Sequence, residues 1–177
     1  MEGIVVNEAV FLTGFMGAGK TTVGGQLAKV LGLDVFDTDH VIEKTFKKSI
    51  SDIFADQGEA YFRECEQRVL RELSSKRAVI TTGGGVILDE GNRQIMKKNG
   101  ITIYLHCSPS KILKRLAGDT TRPLLHGDQE QKVITMLEKR LPYYLEADYT
   151  VNTTMKSVQT IISEIVNLLY RHRNLGS

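Results

Sequence analysis

Residues 14–21 have the sequence GFMGAGKT, which fits the pattern G-x-x-x-x-G-K-[ST] at every fixed position. In such a loop, small residues let backbone N–H groups surround phosphate oxygens, and the N-terminus of the next helix adds a favourable dipole. Lys20 would place its ammonium group on the phosphates, and the Thr21 hydroxyl would bind magnesium. The pattern predicts a site for ATP and Mg²⁺, formed by Gly17, Ala18, Gly19, Lys20, Thr21 and Thr22.

The alternative for this segment is a glycine-rich turn with an incidental lysine. That alternative accounts poorly for a full match that lies between a predicted strand and a predicted helix, as the pattern requires. The loop by itself predicts only that phosphates and magnesium are held, a property that switches, motors and kinases share.

Two carboxylates, Asp37 and Asp39, follow the second predicted strand. Ligands bind at the carboxyl ends of the strands in an open α/β sheet, so both acids should face the phosphate site. One could lie near magnesium, while Asp39 could accept a hydrogen bond from a hydroxyl that attacks the γ-phosphate. Asp39 could equally be a helix cap before His40. The phosphate loop beside the pair favours the catalytic interpretation.

Arginines and glycines form the next group of candidates. Arg63 and Glu66 are three residues apart in a helical pattern, for which a surface ion pair is the simpler interpretation. Three consecutive glycines at 83–85 follow the third predicted strand, where they would let backbone approach a ligand closely or form a tight turn. Arg122 and Arg140 are the remaining cationic candidates, and spacing alone does not distinguish them from surface charges.

Short β-rich runs alternate with helical patterns along the chain, which predicts a parallel sheet with crossover helices. The predicted strands are 9–12, 33–36, 78–81, 101–106 and 149–151. Helices are predicted from Lys20 to about Gly32, from Ser108 and Pro109 onward, and across 51–75, 89–98, 129–141 and 158–170. Segment 118–127 lacks an apolar period and has a glycine at each end, so we expect a mobile loop.

Composition limits the partners and the compartment. The 177 residues are 41% hydrophobic, which is enough for the core of a single domain spanning 1–177. The 23 basic residues nearly cancel the 21 acidic ones, so the overall charge requires no nucleic-acid or membrane partner. Cys65 and Cys107 lack metal-ligand spacing and are predicted to be reduced packing residues. With Glu2 where a signal peptide would be basic, we expect a cytoplasmic monomer that acts on small molecules.

Taken in order, these pieces resemble the shikimate kinase family: GFMGAGKTT, FDTD, FRECE, TTGGG, TRPLL, and RLPYY followed by EAD. The match spans nearly the whole chain, and the ordered set is more specific than any piece after the phosphate loop. The resemblance implies an α/β fold like that of nucleoside-monophosphate kinases, a P-loop three-layer α/β/α arrangement with a five-stranded parallel sheet. It implies transfer of a phosphoryl group from ATP to the 3-hydroxyl of shikimate, a step of aromatic amino-acid biosynthesis.

The resemblance also implies roles for single residues on the acceptor side. Asp39 would bind the hydroxyls of shikimate, and Arg63 and Arg140 would bind its carboxylate, which suits the planar fork of a guanidinium. The same pocket would be lined through backbone contacts by Gly83, Gly84 and Gly85.

On the nucleotide side, the resemblance makes Arg122 a lid residue that closes onto the ATP phosphates and, with Lys20, stabilises charge during transfer. Arg115 would neighbour the adenine, and Asp37 would be a water-mediated partner of magnesium. The family's adenine loop often has adjacent arginines, whereas residues 151–157 here are VNTTMKS. Lys156 is therefore expected to be a weaker adenine contact.

Three alternatives make different demands on the sequence. Another small-metabolite kinase, such as a gluconate kinase, would share the phosphate loop but need not combine Asp39 with two carboxylate-binding arginines and a triple glycine. A catalytically silent nucleotide-binding module would be expected to lose Lys20, Asp39 or a pocket arginine, all of which are present. A GTP switch would need an N-K-x-D segment, which the sequence does not contain.

Overall fold

A computed structural model describes residues 6–116 and 129–175. Along these residues each strand is followed by one or two helices, in agreement with the crossover pattern that the sequence predicts. The strands are β1 (Ala9–Thr13), β2 (Asp34–Asp37), β3 (Ala78–Thr81), β4 (Gly100–His106) and β5 (Tyr149–Asn152). The helices are α1 (Lys20–Leu31), α2 (Thr38–Phe46), α3 (Ile50–Ser74), α4 (Glu90–Asn99), α5 (Pro109–Leu116), α6 (Gln129–Tyr144) and α7 (Val158–Leu175), with a 3₁₀ turn at Val86–Leu88.

Within the described residues the strands form one five-stranded parallel sheet in the order β2-β3-β1-β4-β5. β1 and β3 are buried along their whole length, because helices cover both faces of the sheet. That burial explains why their sequences, AVFLT and AVIT, are nearly continuous apolar runs. The predicted fold class is confirmed, and the predicted strand bounds differ from the observed ones by at most one residue.

Parallel pairing brings the carboxyl ends of the strands to one edge of the sheet. Leu12 of β1 pairs with Thr81 of β3 on one side and with Ile103 of β4 on the other. Asp37, the last residue of β2, pairs with Thr81. The phosphate loop, the acidic pair and the glycine run therefore all leave the sheet at the same edge.

Two predicted helix boundaries are confirmed in detail. α1 starts at Lys20, and Gly32 follows it with φ 63° while its N–H donates to the carbonyls of Ala28 and Lys29. α5 starts at Pro109, and the Ser108 carbonyl accepts hydrogen bonds from two amides of its first turn.

The helical pattern at 51–75 is interrupted in the structure. Gly58 has φ 79° and ψ 177°. This backbone conformation lies outside the helical region, and residues other than glycine rarely adopt it. α3 therefore consists of a short N-terminal piece and a longer piece that begins beside Glu59. The prediction of one continuous helix over 51–75 is therefore wrong at Gly58. The apolar periodicity did not reveal the break, because it is the same on both sides of it.

α6 extends further than predicted. The expected end at residue 141 rests on Pro142, which lacks an N–H and disfavours helix interior positions. The structure continues the helix to Tyr144, and the Leu145 amide donates to the Leu141 carbonyl at 3.0 Å. Tyr144 is only 1% exposed and stacks on Tyr104 with the ring centroids 4.8 Å apart, and this burial offsets the bond lost at the proline.

The predicted loop at 118–127, and Arg122 within it, lie outside the described residues. In the parts of the chain that are described, none of the helices combines the length and the apolar character needed to cross a bilayer. Cys65 and Cys107 are both buried, as expected of packing residues.

Candidate active site

The phosphate loop connects β1 to α1 through backbone that requires glycine. The two fixed glycines of the pattern, Gly14 and Gly19, have φ 149° and 98°. A Cβ on Gly14 would also lie 2.8 Å from the Leu105 carbonyl oxygen. The Lys20 ammonium donates to the carbonyl oxygens of Gly14 at 2.8 Å and of Phe15 at 3.1 Å. Lys20 is thereby held across the loop at the N-terminus of α1.

A cavity of about 440 Å³ opens beside this loop at the carboxyl edge of the sheet. Its wall includes the loop, the first turn of α1, and residues that follow β2, β3 and β5. Most of the predicted site residues line it: Gly17, Ala18, Gly19, Lys20, Thr21, Thr22, Asp37, Asp39, Gly83, Gly84, Arg115 and Lys156.

Thr21 and Asp37 meet on this wall, where the sequence predicts magnesium. The Thr21 hydroxyl donates to Asp37 Oδ2 at 3.4 Å, and the Thr81 hydroxyl donates to the same oxygen at 2.6 Å. Oxygen donors of this kind suit Mg²⁺, which usually keeps several waters and binds through few protein groups plus phosphates. Among the described residues there is no group of three or more His, Cys, Asp or Glu side chains that could hold a metal. The residues present fit a magnesium ion held together with a nucleotide.

Asp37, rather than Asp39, caps the helix that follows β2. Asp37 Oδ1 accepts hydrogen bonds from the backbone N–H groups of Asp39 at 3.1 Å and His40 at 3.4 Å. The Asp39 carboxylate turns toward the glycine run instead, where its Oδ1 lies 2.8 Å from the place a Cβ on Gly83 would occupy. α2, which was not among the predicted helices, thus presents Asp39 to the cavity.

Arg63 lies between two carboxylates. Its Nη1 donates to Glu66 Oε2 at 2.7 Å, while Nη2 and Nε donate to Glu59 Oε1 at 3.1 and 3.4 Å. The ion pair with Glu66 forms as the spacing predicts, but its interpretation as a surface pair is wrong because the Glu66 side chain is 1% exposed. The sequence does contain a signal for this burial, since Glu66 belongs to the apolar face of α3 with Phe62, Cys65, Val69 and Leu70.

Glu66 is also the second carboxyl group at the glycine run. Its Oε1 lies 3.0 Å from the position of a Cβ on Gly83 and has no hydrogen-bond partner among the described residues. Burial raises the pKa of the Glu66 carboxyl; Arg63 opposes that shift, Asp39 adds to it and Arg140 again opposes it. Asp39 and Glu66 therefore converge on the same small space.

The two predicted carboxylate-binding arginines lie against adjacent glycines of the run. A Cβ on Gly85 would be 2.7 Å from Arg63 Nη2, so the third glycine leaves room for this guanidinium. Arg140 Nη1 donates to the Gly84 carbonyl oxygen at 3.2 Å, and its guanidinium lies 5.6 Å from the centre of the Phe15 ring. Arg63, Gly85 and Arg140 adjoin the cavity lining rather than form part of it.

The two residues predicted to lie near the adenine, Arg115 and Lys156, make different contacts. Arg115 Nη1 donates to the Gly17 carbonyl oxygen at 2.6 Å. Lys156 lines the cavity, but its ammonium group is paired with Glu164 on α7. Val158 supplies an apolar surface beside them.

With this geometry established, comparison with known proteins decides the family. The chain matches the family model described as Shikimate kinase over residues 16–170. This chain belongs to the shikimate kinase family. It is 48% identical to the shikimate kinase of Bacillus mycoides over 158 residues, which covers 89% of this chain and 96% of that protein.

Solved structures of the family agree with the fold, which a gluconokinase also shares. The structure of a shikimate kinase from Acinetobacter baumannii in complex with shikimate has a TM-score of 0.87 and 40% identity, covering 93% of this chain and 94% of that one. A gluconokinase from Sinorhizobium meliloti has a TM-score of 0.60 and 17% identity over 95% of each chain. The gluconokinase likeness shows a shared fold only.

Sequence reasoning missed several residues of this family member's site. The Thr81 hydroxyl donates to Asp37 Oδ2 at 2.6 Å. The Thr38 hydroxyl oxygen accepts a hydrogen bond from the Gly83 N–H at 3.0 Å. The Tyr144 hydroxyl donates to the Gly84 carbonyl oxygen at 2.7 Å. Single threonines and a tyrosine after a proline give no local signal, because their importance arises only from long-range contacts.

Proposed function

We propose that this member of the shikimate kinase family transfers the γ-phosphoryl group of ATP to the 3-hydroxyl of shikimate, giving ADP and shikimate 3-phosphate. The observation that supports this most directly is that Asp39, against Gly83, and Lys20, on the phosphate loop, line the same cavity. A carboxylate beside a phosphate site can align an acceptor hydroxyl for in-line attack. The reaction is a step of aromatic amino-acid biosynthesis.

On the nucleotide side, the backbone of residues 17–19, the Lys20 ammonium and the hydroxyls of Thr21 and Thr22 bind the phosphates. Thr21 and Asp37 are the residues that would hold Mg²⁺, Thr21 through its hydroxyl and Asp37 through water. When bound, this ion neutralises charge that develops on the β- and γ-phosphates. Arg115 neighbours the base, while the ion pair of Lys156 with Glu164 leaves Lys156 a weaker contact.

On the acceptor side, Arg63 and Arg140 bind the carboxylate of shikimate. The positions of their guanidinium groups beside Gly85 and Gly84 support this, since a planar carboxylate suits two such forks. Glu66 is buried and keeps Arg63 oriented, whereas Glu59 is 65% exposed and can yield its place to the substrate.

Asp39 accepts a hydrogen bond from the attacking hydroxyl, and Lys20 stabilises charge on the transferred group. Arg122 completes this charge stabilisation when the lid closes over ATP, a role that rests on the family resemblance alone. Closure would exclude water and protect ATP from idle hydrolysis.

We further propose that the protein works in the cytoplasm as a single-domain monomer, with no nucleic-acid or membrane partner. The near balance of 23 basic and 21 acidic residues supports this, because nothing in the net charge favours a polyanionic surface.

A coupled ADP-release assay of the purified chain tests the proposed function. Shikimate, gluconate and a set of nucleoside monophosphates are compared as acceptors, and ³¹P NMR identifies the phosphorylated position of the product. We expect turnover with shikimate alone and a phosphate on its 3-hydroxyl. Turnover with gluconate or a nucleotide but none with shikimate would contradict the proposal, and Lys20→Met controls for contaminating kinases.

A further inference from the structure

The glycine run after β3 forms a turn with two possible orientations. The Val86 N–H donates to the Gly83 carbonyl at 3.2 Å, so Gly84 and Gly85 are the central residues. Gly85 has φ −101° and ψ −4°, as in the third residue of a type I turn. A type II turn, in which the central peptide is rotated by about half a turn, is also open to two glycines. The turn's own residues therefore do not select between the two orientations.

Hydrogen bonds from α6 make that selection. The Gly84 carbonyl oxygen accepts from the Tyr144 hydroxyl at 2.7 Å and from Arg140 Nη1 at 3.2 Å. In a planar trans peptide, the Gly84 C=O and the Gly85 N–H point in opposite directions. Holding the carbonyl toward α6 thus fixes where the Gly85 N–H points. That N–H has no acceptor among the described residues.

Tyr144 is rigidly placed for this contact. It lies four residues after Arg140, so both side chains project from one face of α6. Its ring is parallel to that of Tyr104 within 2° and is almost fully buried. Burial raises the pKa of the Tyr144 hydroxyl, which remains a donor throughout the neutral range.

Arg140 cannot hold the turn alone while it also binds a substrate. Its bond to Gly84 is the longer of the two, and under the proposed function its guanidinium turns toward the acceptor carboxylate. We propose that Tyr144 is a positioning residue of the acceptor site, which keeps the Gly84–Gly85 peptide in its type I orientation while Arg140 binds the acceptor. This inference rests on the proposed function, because it takes Gly83, Gly84 and Gly85 to line the acceptor pocket.

Tyr144→Phe tests the inference, since it keeps the stacked ring and removes only the hydroxyl. We expect the KM for shikimate to rise roughly two- to tenfold, the effect of one neutral hydrogen bond, while kcat and the KM for ATP stay within about twofold. Tyr143→Phe is the matched control, because the adjacent, exposed Tyr143 lies on Arg93 instead of the glycine turn. Tyr143→Phe should leave all three constants unchanged.

A second measurement reads the turn directly. Residual dipolar couplings of the Gly85 N–H report the direction of that bond. In an Arg140→Ala background, where only the Tyr144 hydroxyl still holds the Gly84 carbonyl, we expect them to change on adding Tyr144→Phe but not on adding Tyr143→Phe. An unchanged KM with unchanged couplings would overturn the inference. So would a fall in kcat at constant KM, because it would show no effect on acceptor binding. If the wild-type chain does not phosphorylate shikimate, the proposed function fails, and the couplings still decide whether Tyr144 holds the turn.

Discussion

At the scale of single residues, the glycines at 83–85 leave space that charged groups occupy. A Cβ on Gly83 would meet the carboxylates of Asp39 and Glu66, and a Cβ on Gly85 would meet the Arg63 guanidinium. These carboxylates and this guanidinium approach the backbone so closely at Gly83 and Gly85 that a residue with a Cβ would not fit there without a shift of its neighbours. At Gly83 and Gly85 the glycine reflects this crowding rather than a requirement of the turn itself, whereas a Cβ on Gly84 would have its nearest neighbour at 3.5 Å.

The buried Glu66 carboxyl should make the free energy of unfolding depend on pH. Because burial raises its pKa above the ordinary 4.5 although Arg63 opposes the shift, the folded protein binds this proton more tightly than the unfolded chain. Stability from this group is therefore lost as pH rises from about 4.5 through the folded-state pKa. Glu66→Gln removes this titration. The free energy of unfolding of the variant minus that of the wild type should therefore increase as pH rises over this range.

Urea unfolding between about pH 4 and pH 7 measures this difference. Glu64→Gln is the matched control, because it makes the same change at an exposed carboxylate on the same helix. Parallel stability curves for the wild type and Glu66→Gln would show that the folded state does not raise this pKa.

At the scale of elements, local signals predicted the parts of the fold that local interactions determine. The strands, the start of α1 and the cap of α5 follow from apolar runs, the phosphate-loop pattern and a Ser-Pro pair. The continuation of α6 through Pro142 depends on a distant contact, Tyr104 against Tyr144, which no neighbour in the sequence reports. The break at Gly58 leaves the apolar periodicity of α3 unchanged, so that periodicity does not reveal it. The burial of Glu66 has a local signal in the apolar face of α3, but the Arg63–Glu66 spacing alone also fits a surface ion pair.

The break in α3 can be tested with a pair of glycines. Space is open around a Cβ at both Gly58 and Gly25, so the two positions differ in backbone conformation and not in packing. Gly58→Ala should destabilise the protein by about 1–3 kcal/mol, because φ 79° with ψ 177° is strained for alanine. Gly25→Ala, inside α1, should instead stabilise it by about 0.5–1 kcal/mol. Thermal or urea unfolding measures both, and a change of the same sign at the two sites would contradict the assigned break.

At the scale of the whole molecule, the parallel sheet assembles two half-sites from distant parts of the chain. β1 leads to the phosphate loop, β2 to Asp37 and Asp39, and β3 to the glycine turn, and all three end at one edge. The phosphate loop could be predicted in full because its pattern is contiguous. The acceptor half could be predicted only as separate candidates, since spacing in sequence does not show that Arg63 and Arg140 flank one turn.

This arrangement implies that catalysis can be removed without loss of nucleotide binding. Asp39 and Lys20 line the same cavity, and under the proposed function Asp39 contacts the acceptor while the phosphates are bound by the loop and Lys20. Asp39→Asn therefore separates the two halves, and Asp34→Asn, an exposed acid at the start of β2, is its matched control.

The decisive measurement is the turnover of shikimate by Asp39→Asn, together with the Kd of a non-hydrolysable ATP analogue. We predict a fall in kcat of about 100-fold or more with the Kd within about twofold of the wild type, since a positioned general base contributes on that order. The control should retain both constants. Near-wild-type turnover by Asp39→Asn would contradict the account of a two-substrate site in which Asp39 aligns the acceptor hydroxyl.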